Sequence, residues 1–280
     1  MSKIKEKNIT APQLITYGFA TIILVGATLL SLPISSQTGE ATNFLDALFT
    51  ATSATCVTGL TTLTTATHWS TFGHLVILTM IELGALGFMS LPVLFYLVTR
   101  KKVGLGMRIL LQQSLNSDRR TGEVSLMIYI LKNALLIQLA GFLLLAIDFI
   151  PRFGWKKGTW FSLFHAVSAF GNAGFDLFGD SLVGFQQNPW VLSIISGLII
   201  SGGLGFLVWS DVLSYKSVRR ISLHSKIALI VTATLLILGT LGFMLTEGNA
   251  ASLAEGNVIH RFFNTIFMSV TPRTAGFFSV

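Results

Sequence analysis

Three loops of the sequence each carry a glycine in a similar setting: Thr55, Cys56, Val57, Thr58 and Gly59; Gly171, Asn172, Ala173 and Gly174; and Arg273, Thr274, Ala275 and Gly276. Glycine reaches positive φ without a Cβ clash, so the backbone there can turn its carbonyl oxygens inward. Several such loops around one axis would make a ring of carbonyls, which can replace the hydration shell of a potassium ion. The chemistry expected is therefore ion coordination by backbone oxygen. Each loop follows a short apolar run, Asn43 to Ala54, Thr159 to Phe170 and Asn257 to Val270. A helix C-terminus carries roughly half a negative elementary charge, so helices in this order favour a cation and disfavour an anion.

Other chemistries find no support. Cys56 is the single cysteine, which excludes an internal disulfide framework. With no histidine at ligand spacing, it is expected to contribute only its carbonyl. Among His68, His74, His165, His224 and His260 there is no HExxH pair, so a zinc enzyme is unsupported. No GxxxxGKS or GxxxxGKT segment occurs either, and no nucleophile, base and orienting group come together. The chain reads as a non-enzyme with no covalently bound cofactor. Asp46, Asp176, Asp180, Glu247 and Glu255 fall on exterior segments and are expected to be solvated.

The elements that must position the loops are apolar and long. The chain of 280 residues is 52% hydrophobic and 11% charged, against about 25% charged for a soluble domain. Five runs, Leu14 to Leu32, Phe72 to Val98, Leu126 to Phe149, Trp190 to Leu213 and Leu223 to Leu245, approach or exceed the roughly 20 residues that span a bilayer. The three short runs before the loops have the length of re-entrant segments. Each opens on a residue type that caps helices, Asn43, Thr159 or Asn257.

The net charge of +7 is distributed by topology. Lys3, Lys5 and Lys7, then Arg100, Lys101, Lys102, Arg108, Arg119 and Arg120, then Lys216, Arg219, Arg220 and Lys226 alternate with segments holding only Arg152, Lys156, Lys157, Arg261 and Arg273. Thirteen against five places the basic segments, and the N-terminus, in the cytoplasm. A nucleic-acid surface is not implied; the expected surroundings are the lipid bilayer of the cell membrane.

The sequence repeats. Phe49 and Ser53 stand ten and six residues before Gly59, and Phe164 and Ser168 stand at the same offsets from Gly174; Phe267 and Ser269 stand nine and seven before Gly276. GALGF at 84–88 and GGLGF at 202–206 form a second match. The expected fold is an all-α multi-pass membrane protein with parallel repeats of span, re-entrant helix with loop, and span. Its divisions are a tail (1–11), a first repeat (12–99), a cytoplasmic loop (100–122), a second repeat (123–213), a loop (214–222) and an incomplete third repeat (223–280). Irregular backbone at membrane depth must be buried in protein or line a water-filled path. Small residues such as those of GALGF and GGLGF serve equally for close packing or for a hinge. Glu82 and Lys132 lie within spans, where an ion pair or polar contact is expected. Arg273, a cation beside a cation site, is expected to point away from the axis and tie its loop to neighbouring carbonyls or an acid.

TCVTGL, NAGFD and TPRTAGF, each behind a short helix, resemble the first three selectivity-filter segments of the Trk, Ktr and HKT superfamily of potassium transporters, and most closely the Ktr-type membrane subunit. The resemblance covers essentially the whole chain. It implies potassium uptake through a carbonyl-lined filter, with sodium as a candidate activator and four units around a pseudo-fourfold axis. It also implies a homodimer with one pore per protomer and a cytoplasmic nucleotide-binding regulatory subunit of the KtrA type. Gly59 is similar to the potassium-selective members. The glycines lie 115 and then 102 residues apart and the chain ends at Val280, so a C-terminally truncated product is expected, without the fourth unit and without the family's gating loop after the third filter. A secondary transporter of sodium or another small solute is the alternative.

Overall fold

The computed structural model describes residues 11–87, 123–205, 208–209, 211–212, 221–247 and 257–280. The tail at 1–10, the basic loop at 100–122 and Glu255 lie outside the described residues. Those that are described fold into helices, turns and loops without a β-strand, apart from an isolated bridge between Ser36 and Trp69. The main helices are α1 (Ala11–Ser31), α2 (Phe44–Thr55), α3 (Thr71–Ala85), α4 (Glu123–Phe153), α5 (Trp155–Phe170), α6 (Pro189–Gly203), α7 (Leu223–Thr246) and α8 (Val258–Val270).

Local chemistry sets most of the starts. Asn43 Oδ1 accepts from the Leu45 amide at 3.0 Å, and Ser70 Oγ accepts from Gly73 at 3.3 Å. Asn188 Oδ1 accepts from Val191 at 3.3 Å ahead of Pro189 at the first helical position, and Ser222 Oγ accepts from Ser225 at 3.2 Å. Each bond satisfies an amide that the helix itself leaves unpaired. Asn257 occupies the cap position of α8 in an extended conformation but makes no side-chain cap bond.

Thr159 does not cap α5. The helix begins four residues earlier, at Trp155, and the Thr159 hydroxyl donates to the Trp155 carbonyl at 2.6 Å from inside it. The reason lies in Gly154, whose φ of +80° reverses the chain from the end of α4 directly into α5. The polar turn with Lys156 and Lys157 hides this start from a search for apolar runs.

Among the described residues, Ile128–Phe153 and Leu223–Thr246 are long and apolar enough to cross a bilayer, while Ile15–Ser31, Thr71–Ala85 and Pro189–Gly203 are shorter apolar helices. The second and fourth expected spans are thus not continuous helices. α3 stops at Ala85 and α6 at Gly203, and the chain turns at Gly87 (φ +77°) and Gly205 (φ +83°). Residues 88–98, the remainder of the second expected span, lie outside the described residues.

The packing order follows the repeat. α2 lies against α1 and α3, α5 lies against α4 and α6, and α8 lies against α7. Contacts of α3 with α5 and of α6 with α8 join successive units side by side. Leu30, Trp69, Ile77, Ile81, Phe164 and Phe175 fill one core; Phe149, Leu182, Ile195, Phe267 and Phe277 fill the other. Phe164 and Phe175 belong to the second unit but sit in the core of the first, so the units share side chains as well as surfaces.

Candidate functional site: three glycine loops

The loop after α2 begins with a two-bond helix cap. The Val57 amide donates to the Ala54 carbonyl at 3.3 Å and the Thr58 amide to the Ser53 carbonyl at 2.8 Å, with Val57 left-handed at φ 57°. The same pair recurs after α5, from Asn172 to Ala169 at 3.1 Å and from Ala173 to Ser168 at 2.8 Å, with Asn172 at φ 57°. Such caps satisfy the last carbonyls of a helix and usually place glycine or asparagine at the left-handed position. Valine there is an outlier for a β-branched residue. After α8 the left-handed residue is Thr274 (φ 68°), and the Ala275 amide reaches the Thr271 carbonyl at 3.1 Å. That bond reaches back four residues, against five in the other loops.

The one-residue difference explains the shifted frame of the third unit. Ser168 Oγ donates to the Phe175 carbonyl at 2.7 Å, closing the far side of the second loop, and the Thr271 hydroxyl donates to the Phe277 carbonyl in the same way. Thr271, five residues before Gly276, is therefore the counterpart of Ser168; Ser269 instead donates to the Leu236 carbonyl of α7 at 3.0 Å. Ser53 Oγ, at the same offset in the first unit, is buried with no partner among the described residues.

Two residues after each left-handed residue comes the loop glycine, at φ +82° (Gly59), +70° (Gly174) and +74° (Gly276). The glycines meet. A Cβ on Gly59 would lie 2.6 Å from the Ala173 carbonyl oxygen and 3.2 Å from the Gly174 Cα. One on Gly174 would lie 2.9 Å from the Ala275 carbonyl oxygen and 3.1 Å from the Gly276 Cα, and one on Gly276 would lie 4.0 Å from the Thr58 carbonyl oxygen. The loops converge on one place, and the ends of α2, α5 and α8 lead into them.

The other expected site residues are distributed around this point. Cys56, Thr58 and Thr274 are exposed, and Asn172, Ala173 and Ala275 are buried. Thr55 ends α2 and its carbonyl oxygen faces α3, where a Cβ on Gly84 would fall 2.0 Å from it. Gly171 is the C-cap of α5. The Phe170 carbonyl oxygen, one residue before it, faces Gly202 of α6 at 1.8 Å from such a Cβ. Gly84 and Gly202 thus permit close packing on the helix ends, whereas Gly87 and Gly205 make the turns that follow. Close packing, one of the two expected roles of the motif, thus falls to its first glycine in GALGF and in GGLGF.

Charged and polar groups brace the loops from behind. Arg273 turns outward, its Nη2 donating to the Thr232 carbonyl of α7 at 3.0 Å, one of the two outcomes expected from its charge. His165 accepts from the Leu177 amide at 3.4 Å through Nε2, while its Nδ1 lies 2.7 Å from the Phe161 carbonyl and its ring stacks on Phe178 at 4.3 Å. Sequence reasoning passed over this brace, for a lone histidine in an apolar helix carries no signal of its partner. Glu82 Oε2 accepts from Gln138 of α4 at 2.9 Å, joining the first two units. Lys132 is exposed, with no ion-pair partner among the described residues. Those residues include no group of three or more His, Cys, Asp or Glu side chains able to hold a metal.

Apolar helices packed in repeated units, with irregular loops converging at their ends, define a helical membrane protein. The sequence matches the family described as "TrkH: Cation transport protein" over residues 5–280, and the chain belongs to that family, one of transporters and not of enzymes. It is 55% identical to the potassium/sodium uptake protein NtpJ of Enterococcus hirae, over 100% of this chain and 62% of the relative. To the Ktr system potassium uptake protein B of Bacillus subtilis it is 41% identical, over 99% of this chain and 62% of the relative. The chain therefore spans less than two thirds of the length of these curated relatives. The fold is similar to that of the potassium transporter TrkH from Vibrio parahaemolyticus, with a TM-score of 0.60 at 16% identity, covering 100% of this chain and 54% of that one.

Proposed function

We propose that this chain contributes the ion path of a potassium uptake system in the cell membrane, with the loops at 55–59, 171–174 and 273–276 as its selectivity filter. The observation that carries the reading is the meeting of Gly59, Gly174 and Gly276 at the C-terminal ends of α2, α5 and α8. Backbone carbonyls set by alternating positive and negative φ can take the place of an ion's water, and three helix C-termini supply negative potential for a cation.

The same reading gives potassium as cargo, sodium as a candidate activator, a homodimer, and a nucleotide-binding regulatory partner of the KtrA type on the cytoplasmic side. It is supported by the relatives named potassium uptake proteins of a Ktr system. The test is rubidium uptake by cells lacking their own potassium uptake and carrying the full gene. Saturable uptake that potassium inhibits is expected; growth and uptake no better than in empty cells would end the proposal.

The orientation follows from the basic bias. Single cysteines at Asn43 or Asn257 are expected to react with an impermeant thiol reagent from outside, and one at Lys101 to be shielded. Labelling at Lys101 but not at Asn43 would reverse the topology. The background for this labelling is a chain with Cys56 replaced by serine, because Cys56 is itself exposed.

A further inference from the structure

We propose that Asn172 is a positioning residue whose side chain couples the second glycine loop to the helix break at Leu204 and Gly205, so that the occupancy of the loop and the position of the chain beyond α6 are linked. The link to ion selectivity rests on the filter reading above. The backbone of Asn172 is left-handed and the residue is 9% exposed. With the amide oriented so that both of its polar atoms are satisfied, its nitrogen donates to the Ile199 carbonyl at 3.2 Å and its oxygen accepts from the Gly203 N–H at 3.2 Å. Those two backbone groups are four residues apart, so a single amide lies across one rung of the ladder in the last turn of α6.

The position of that rung gives the contact its consequence. Leu204 caps the helix and Gly205, at φ +83°, turns the chain one residue later. Side chains bound into a helix ladder are a recognised cause of bends and breaks. Gly202 brings the same turn of α6 against the Phe170 carbonyl, two residues before Asn172, so the helix and the loop are also in backbone contact here. A displacement of the loop therefore pulls on α6 at its break, and a displacement of the chain after the break pulls on the loop.

Among the described residues, only the second loop is tied to a helix in this way. The matching left-handed residues are Val57, which has no polar group, and Thr274, whose hydroxyl donates to its own neighbour, the Arg273 carbonyl, at 2.5 Å. Tolerance of the left-handed conformation alone would not require the amide, since glycine adopts it at lower cost. That distinction supplies the test.

Asn172→Gly keeps the backbone conformation and removes the amide; Asn172→Asp keeps the shape and the acceptor but opposes a carboxyl to the Ile199 carbonyl. Both are made in the full gene and compared with the unmutated protein at equal amounts in the membrane. The rubidium-to-sodium uptake ratio is expected to change by at least about threefold in each, a coupling of ordinary size. In purified protein, amide hydrogen exchange over residues 199–205 is expected to differ between potassium and sodium buffers. In Asn172→Gly that difference should vanish while the loop itself, 171–175, still responds to the ion. An unchanged uptake ratio in Asn172→Gly, or exchange at 199–205 that ignores the ion in the unmutated protein, overturns the coupling. If the unmutated protein takes up no rubidium, the transport reading fails, and the exchange comparison still decides whether Asn172 links loop and helix.

Discussion

Replacing Gly59 with serine in the full gene product is expected to cut the discrimination of rubidium over sodium by about tenfold or more, corresponding to at least ~1.4 kcal/mol of lost selectivity. Two independent effects add at this position. The residue stands at φ +82°, where a side chain costs roughly 1–2 kcal/mol. Its new Cβ would also lie 2.6 Å from the Ala173 carbonyl oxygen and 3.2 Å from the Gly174 Cα, both backbone atoms of the neighbouring loop. Either the first or the second glycine loop must move, and each movement displaces carbonyls of the proposed filter. Gly39→Ser separates the effects, because Gly39 has nearly the same conformation (φ +74°) with nothing within 4 Å of an added Cβ. It is expected to leave the uptake ratio unchanged. The ratio is read from paired rubidium and sodium uptake at matched protein levels, and a wild-type ratio in Gly59→Ser would remove Gly59 from the filter.

The repeat was legible because it is written in residue types that short-range physics selects. Asn43 ahead of an apolar run marks a helix start, and glycine after the run marks a change of backbone hand. Phe49 and Phe164, ten residues before their glycines, fall on the same place in their helices. What could not be read depends on partners far along the chain. Val57 gives no sign of a left-handed backbone, since its type argues against one and only the cap after α2 imposes it. Thr271 takes the role of Ser168 through a shorter capping bond, and that is invisible until the bonds are traced. The break after α6 was obscured because Gly202, Gly203 and Gly205 look alike in a span, whereas their surroundings differ: Phe170 presses on the first, Asn172 binds the second, and the chain turns at the third. Arg273 was readable for the opposite reason, since a charge beside a proposed cation filter has few places to go, and its tie to the Thr232 carbonyl is one of them.

Gly202→Ala is the second change with a large expected effect, and the loss read here is of folding stability. The added methyl would stand 1.8 Å from the Phe170 carbonyl oxygen and 2.9 Å from its carbon. Phe170 ends α5, where the cap bonds from Gly171, Asn172 and Ala173 fix the backbone, so the carbonyl cannot turn aside. α6 must therefore withdraw from α5. Overpacking costs roughly 1–3 kcal/mol where side chains can yield, and more where the obstacle is backbone. Withdrawal also takes Ile199 and Gly203 from the Asn172 amide, leaving buried polar groups unpaired at about 1–3 kcal/mol. Gly197, on the same helix, is the control, with nothing within 4 Å of an added Cβ; alanine there is neutral or stabilising by up to about 1 kcal/mol through helix propensity. Melting of the detergent-solubilised full protein, followed by fluorescence-detected size exclusion, is expected to fall by roughly 5–10 °C for Gly202→Ala and not to fall for Gly197→Ala. Gly84→Ala should behave like Gly202→Ala, for its methyl would meet the Thr55 carbonyl oxygen at 2.0 Å. If both variants melt with the unmutated protein, the second helix of the first two units does not pack on the end of its short helix, and the shared GxLGF motif needs another explanation.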